Sequence, residues 1–175
     1  MEWEEAYRYA VRLLAIRARS SEELQERLQR KGCGAEMAAE VVERLRAQGY
    51  VDDVAFARQW VEERCSARPS GVKRLWSELS RLGVPREVIA SAVEEVLADP
   101  EGELALARRA VEQRWRRYQG LAPEERSRRV AGFLLRRGFT WETVEALLKE
   151  LNPDEPESPV STHEKILPKG NRSLT

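Results

Sequence analysis

An all-α fold is predicted, built as three tandem three-helix repeats, and three observations predict it. Apolar residues recur at helical spacing, a leucine–glycine pattern occurs three times, and no segment alternates as a strand would. Leu24, Leu28 and Gly32 stand four and four apart; so do Leu75, Leu79 and Gly83, and again Val130, Leu134 and Gly138. The glycines are separated by 51 and then 55 residues, which marks one supersecondary unit used three times. The expected units are residues 1–49, 50–100 and 101–151, followed by a tail over 152–175.

The first unit opens with a helix whose buried face carries Trp3, Tyr7, Ala10 and Leu14. Ser20-Ser21-Glu22-Glu23 reads as a capping box that starts the second helix. That helix buries Leu24 and Leu28, and the third buries Met37, Val41 and Leu45. In the second unit Asp52 and Asp53 precede a face of Phe56, Ala57, Trp60 and Val61, where carboxylates favour the positive end of a helix. Leu75 and Leu79 follow, then Pro85 as a first helical residue, then Val88, Ala92 and Val96. The third unit repeats the plan with Ala107, Val111, Trp115 and Tyr118 on one helix and Pro123 opening the next. Val130 and Leu134 lie on that second helix, and Val144, Leu147 and Leu151 on the last. The tryptophans and Tyr118 are expected to pack in the core rather than stack on bases.

The repeated glycines have a physical task. A helix commonly ends with a left-handed residue, where glycine has no Cβ penalty, and the next residue then packs back on the last turn. Cys33 would meet Leu28, Val84 would meet Leu79, and Phe139 would meet Leu134; Gly49 closes the first unit with Tyr50 folding towards Leu45. The tail begins Asn152-Pro153-Asp154-Glu155-Pro156, has little periodic apolar content, and is expected to be disordered. The one histidine, His163, lies there and reads as a bystander.

Lys plus Arg equals Asp plus Glu at 30 each, so the whole chain is neither a basic DNA coater nor an acidic mimic. No run of about 18 apolar residues spans a bilayer, and Met1-Glu2-Trp3-Glu4-Glu5 is acidic where a signal peptide is basic; a cytoplasmic address is expected. Cys33 and Cys65 are too few for a disulfide framework and lack metal-ligand spacing. Arg64 and Arg68 flank Cys65 and would lower its pKa, but no histidine is at hand for a nucleophilic dyad. Asp52 and Asp53 could serve a two-metal site only with further converging ligands, and capping explains them better. No glycine-rich phosphate loop occurs. An enzyme is not expected, nor any cofactor or metal.

The second unit holds the most distinctive run: Tyr50-Val51-Asp52-Asp53, Phe56-Ala57, Trp60-Val61, Arg64, Gly71, Arg74-Leu75, Glu78-Leu79 and Gly83-Val84. It resembles the central signature of the RecX family. Arg19-Ser20, Glu23-Leu24, Arg27-Leu28 and Lys31-Gly32 add a similar match in the first unit, and the third matches in pattern. The resemblance implies a curved, elongated body of three-helix repeats. It also implies binding in the groove of a RecA filament on single-stranded DNA, suppressing RecA's ATPase, strand-exchange and coprotease activities. The signature residues are expected to be mainly structural, and the chain to act as a monomer.

Local charge is lopsided. From Leu104 to Gly138 there are ten arginines and three glutamates, a net of +7, whereas residues 1–103 and 139–151 sum to −6. Arg108, Arg109, Arg116, Arg117, Arg126, Arg128 and Arg129 are the candidate contacts to RecA or DNA, because a guanidinium grips phosphates and carboxylates bidentately. The alternative reading is a helix-turn-helix DNA binder acting without RecA. The helix after each glycine would then enter a groove, yet those segments carry Glu36, Glu40 and Glu43, Glu87, Glu94 and Glu95, and Glu142, Glu145 and Glu150. Duplex readout is disfavoured, and at most a weak direct DNA contact is expected.

Overall fold

In the computed structural model residues 1–97 and 102–152 are described, and nine α-helices and one short 3-10 turn make up their regular structure. The tail over 153–175, His163 within it, the boundary at Pro100 and the side chain of Val96 lie outside the described residues. The helices group by threes. The first triad is α1 (Trp3–Ile16), α2 (Ser21–Arg30) and α3 (Ala35–Ala47); the second is α4 (Asp53–Ala67), α5 (Val72–Arg81) and α6 (Arg86–Val96). The third is α7 (Gly102–Glu112), α8 (Pro123–Arg136) and α9 (Trp141–Leu151), with the 3-10 turn Trp115–Arg117 between α7 and α8. No strand occurs among the described residues, and none of their helices is long and apolar enough to cross a membrane.

All four expected glycine caps form. Gly32, Gly49, Gly83 and Gly138 have φ of 94°, 76°, 72° and 82°, left-handed values that a side chain resists. The residue after each glycine donates to the carbonyl five residues back: Cys33 to Leu28 at 3.0 Å, Tyr50 to Leu45 at 2.9 Å, Val84 to Leu79 at 3.1 Å and Phe139 to Leu134 at 3.2 Å. Cys33, Val84 and Phe139 are buried, as the packing rule requires. Tyr50 is not: its backbone completes the motif, but its ring is 62% exposed. Gly120, at φ 81°, is a fifth left-handed glycine, in the turn before α8.

The helix starts differ in detail from expectation. Ser20 accepts from Glu23 N at 3.1 Å, but the Glu23 carboxylate pairs with Arg17 and Arg19. Asp52 caps α4 through Val54 N and Ala55 N at 2.9 and 3.0 Å. Pro123 is the first residue of α8, whereas Pro85 caps α6 from one residue outside it. Helix α7 stops at Glu112, short of Trp115 and Tyr118; the 3-10 turn that follows swings the Tyr118 ring inward to 6% exposure.

Two apolar clusters form the core. Ala6, Ala10, Leu24, Leu28, Val41 and Leu45 belong to the first triad, and Val51, assigned by sequence to the second unit, is buried with them. The other cluster runs without a break from Phe56, Val61, Leu75 and Leu79 to Val111, Val130, Leu134 and Phe139. Each fully buried leucine contributes about 2 kcal/mol relative to exposure. Trp3, Trp60, Trp76 and Trp115 pack at the edges of the clusters, while Trp141 is 41% exposed.

Consecutive triads meet through turns and helix ends. Ser21 N, a first-turn donor with no partner inside α2, donates to Asp53 Oδ1 at 2.8 Å, so the following triad caps the preceding one. The Ser20 hydroxyl donates to the Leu82 carbonyl, and a Cβ on Gly83 would stand 2.3 Å from Glu22 Cβ. The next junction is built the same way. Val72 N at the start of α5 donates to Glu103 Oε1 at 2.9 Å, and a Cβ on Gly138 would stand 2.5 Å from Arg74 N. Gly71 N donates to Arg137 O and Lys73 N to Gly138 O, each at 3.0 Å. The repeated glycine thus ends a helix and admits the neighbouring repeat's backbone.

Candidate functional site

The signature residues of the second triad interlock around one carboxylate. Glu78, on the buried face of α5, is 7% exposed. Its Oε2 accepts from Trp60 Nε1 at 3.2 Å and Arg64 Nε at 2.7 Å, and its Oε1 from Arg74 Nε at 2.9 Å. The Arg64 guanidinium also lies over the Trp60 ring, 4.7 Å from its centroid. Burial pushes the Glu78 carboxyl upward, but the Arg74 hydrogen bond, the Arg64 charge and the Trp60 N–H outweigh it and hold the group below its ordinary 4.5. Phe56, Ala57, Leu75 and Leu79 are core, Asp52 and Asp53 are caps, and Gly71 and Gly83 are junction glycines.

The arginines of the third triad stand in different surroundings. Arg108 joins Glu150 at 2.7 Å, tying α7 to α9. Arg126 is half-buried: its Nη2 donates to Asn152 Oδ1 at 2.6 Å, and its buried Nε meets no hydrogen-bond acceptor among the described residues. Arg129 pairs with Glu125 at 2.7 Å on the surface of α8, and Arg109 donates to Ser66 O at 3.3 Å. Arg116, Arg117 and Arg128 are exposed. Cys65 also departs from expectation. Its thiol is pushed up by burial, against a smaller opposing pull from Arg109, and Arg64 is committed to Glu78.

A different set of arginines converges where the second and third triads meet. Arg68 at the end of α4, Arg74 on α5, Arg114 after α7 and Arg137 after α8 line one open depression with Ala67 and Gln113. The Phe133 ring fixes two of them: the Arg114 and Arg137 guanidiniums lie over it, 4.8 and 5.4 Å from its centroid. Arg137 also reaches Pro69 O at 3.4 Å. Burial, then the positive charges of Arg114, Arg74 and Arg68, hold the Arg137 pKa below its ordinary value. Sequence reading placed Arg114 and Arg137 within the basic run and Arg74 within the signature, but nothing in the run points to their meeting Arg68.

Three family models match the chain in succession: the RecX first three-helix domain over residues 6–45, the second over 52–93 and the third over 101–148. The chain belongs to the RecX family. It is 31% identical over 156 residues to the regulatory protein RecX of Pelodictyon phaeoclathratiforme, covering 86% of this chain and 94% of that protein. With the regulatory protein RecX of Mycobacterium sp. (strain JLS) it shares 40% identity over 142 residues, 78% of this chain and 76% of the relative. With that of Trichlorobacter lovleyi it shares 39% over 150 residues, 83% and 95% of the two chains. The fold matches the crystal structure of RecX from Lactobacillus salivarius with a TM-score of 0.76 at 18% identity, covering 86% of this chain and 97% of that one. The coarse role that goes with RecX membership is regulatory.

Proposed function

We propose that this RecX-family chain is a non-catalytic regulator that binds the RecA filament on single-stranded DNA and lowers RecA's ATPase, strand-exchange and coprotease activities. It works as a cytoplasmic monomer. Family membership supports the regulatory part. The carrying observation for a charged partner is the exposure of Arg116, Arg117 and Arg128, three arginines of the third triad for which no salt bridge is recorded among the described residues. A repeat body offers an extended surface of the kind a long, grooved partner needs.

The test is inhibition of RecA's DNA-dependent ATPase by a triple reversal, Arg116→Glu, Arg117→Glu and Arg128→Glu. This set is cleaner than one including Arg126, whose contact with Asn152 would confound folding with function. Inhibition by the triple variant should be weaker than by the parent, and inhibition by the parent should weaken as salt rises. A matched reversal on α3, Glu36, Glu40 and Glu43 to Lys, should impair inhibition less. Equal inhibition by the parent and the arginine variant would remove these arginines from the mechanism.

A further inference from the structure

We infer that the acidic segment 154–157, just past α9, is an intramolecular ligand of Arg126 and Arg128 on α8 and competes there with the charged partner. The docking stands without the proposed function. The competition rests on it, because Arg128 is one of the three exposed arginines offered to that partner. Asn152 fixes where the segment begins. It closes α9 and is clamped on α8 through both ends of its amide: Arg126 Nη2 donates to its Oδ1, and its Nδ2 donates to Ser127 Oγ, each at 2.6 Å. The chain therefore leaves the body beside Arg126, and each further residue adds at most about 3.6 Å. Asp154 stays within about 7 Å of the Asn152 Cα, and Glu157 within about 18 Å.

What the segment carries matches what it meets. Asp154, Glu155 and Glu157 are three carboxylates, and residues 153–163 hold no lysine or arginine. Arg126 pairs with no carboxylate among the described residues, and its buried Nε lacks an acceptor there, a donor whose best partner is a charged oxygen. Arg128 follows the clamping Ser127, is exposed, and joins no salt bridge among the described residues, Glu124 one turn before it included. Arg129 is already held by Glu125 at 2.7 Å. Tethering compensates for the weakness of exposed ion pairs, since a segment on a short linker acts at an effective concentration of about millimolar. Pro153, Pro156 and Pro159 recur with the three-residue period of a polyproline II backbone, which needs no internal hydrogen bonds and no core. On that period Asp154 and Glu157 share one side.

The experiment compares the full chain with a variant combining Asp154→Asn, Glu155→Gln and Glu157→Gln, first by NMR without RecA. At low salt the Arg126 Nε–H signal and the Ser127 and Arg128 amide signals should differ between the two. Rising salt should bring the parent's signals onto those of the variant, because an ion pair is screened. Reciprocally, Arg128→Gln should move the amide signals of residues 154, 155 and 157. Equal thermal melts confirm that every form is folded. With RecA added at low salt, the neutralised variant should inhibit the DNA-dependent ATPase at a concentration about threefold lower than the parent, the weight of one or two exposed ion pairs. Signals on α8 that do not move at low salt overturn the docking, whatever inhibition does. Moved signals with unchanged inhibition overturn the competition. If neither form inhibits, the proposed function fails and the competition with it, while the signals still decide the docking.

Discussion

The two junctions between repeats use one device in different surroundings. At the first, the Asp53 carboxylate of α4 accepts from Ser21 N at the start of α2, and Arg46 closes on it at 3.4 Å. At the second, the Glu103 carboxylate of α7 accepts from Val72 N at the start of α5 and gathers Thr140 and Thr143 as well. The first junction separates two apolar clusters; the second is crossed by one. The second also gains two backbone hydrogen bonds, from Gly71 and Lys73, because Gly71 presents no Cβ. Stability in repeat proteins is roughly a sum of unit and nearest-neighbour terms. The second and third repeats should therefore open together, and the first should uncouple more readily.

A glycine series tests that comparison at its strongest point. A Cβ on Gly71 would stand 2.2 Å from Phe139 Cα and N, atoms that belong to backbone and cannot step aside. Gly71→Ala should cost about 4 kcal/mol and lower the Tm by roughly 10 °C, with repeats two and three losing cooperativity together. Gly83→Val, at φ 72° and facing the Glu22 side chain, should cost about 1–3 kcal/mol at the first junction. Gly32→Ala, at φ 94° but with open space around it, should cost about 1 kcal/mol from backbone conformation alone. Thermal unfolding of the three variants gives the order directly, and a Gly71 variant no worse than the Gly32 one would contradict the close backbone approach.

This series also shows what sequence could and could not reveal. Gly32, Gly49, Gly83 and Gly138 were legible because a helix cap is local: glycine and the leucine five residues before its successor lie within one turn. Gly71 has an ordinary extended φ of −78°, and its reason for being glycine sits 68 residues away at Phe139. The Asp53–Ser21 and Glu103–Val72 contacts span 32 and 31 residues and carry no periodic signal. The arginine run was visible as charge, but contiguity in sequence is not convergence in space. Arg108 and Arg126 turn to partners inside their own triad, while Arg68, from the preceding repeat, joins Arg114 and Arg137.

Glu78 distinguishes the junctions next, because it anchors Arg74, whose backbone passes beneath Gly138. Glu78→Ala leaves the Trp60 N–H and two guanidiniums without their shared acceptor and should cost about 2–3 kcal/mol. The pH dependence has a definite sign. A carboxyl held below its ordinary 4.5 in the folded state contributes stability that is present above that pH and is lost as pH falls through the folded value. Urea unfolding of the parent should therefore show stability falling below about pH 4.5, and Glu78→Gln should flatten that part of the profile. A variant with the parent's full acid dependence would assign the loss to other carboxylates.

The smallest expected effects come from the two bridging carboxylates, and their ratio is what sharpens the comparison. Asp53 takes one backbone N–H at 2.8 Å and an arginine that is itself 46% exposed, so water competes for half of its interactions. Glu103 takes Val72 N at 2.9 Å on one oxygen, and on the other the Thr140 and Thr143 hydroxyls at 2.7 and 2.5 Å. It thereby binds α7 to the starts of both α5 and α9. Asp53→Ala should cost about 1 kcal/mol, the usual value of a lost cap. Glu103→Ala should cost about 2 kcal/mol, since it strands one first-turn donor and leaves the Thr140 and Thr143 hydroxyls only each other, 2.9 Å apart. Combining each change with its junction glycine separates the terms. Asp53→Ala and Gly83→Ala act on contacts that meet at α2, so their effects should fall short of additive once the junction has opened. Equal costs for the two carboxylates would mean that the junctions are held alike, with the continuous core supplying all of the difference between them.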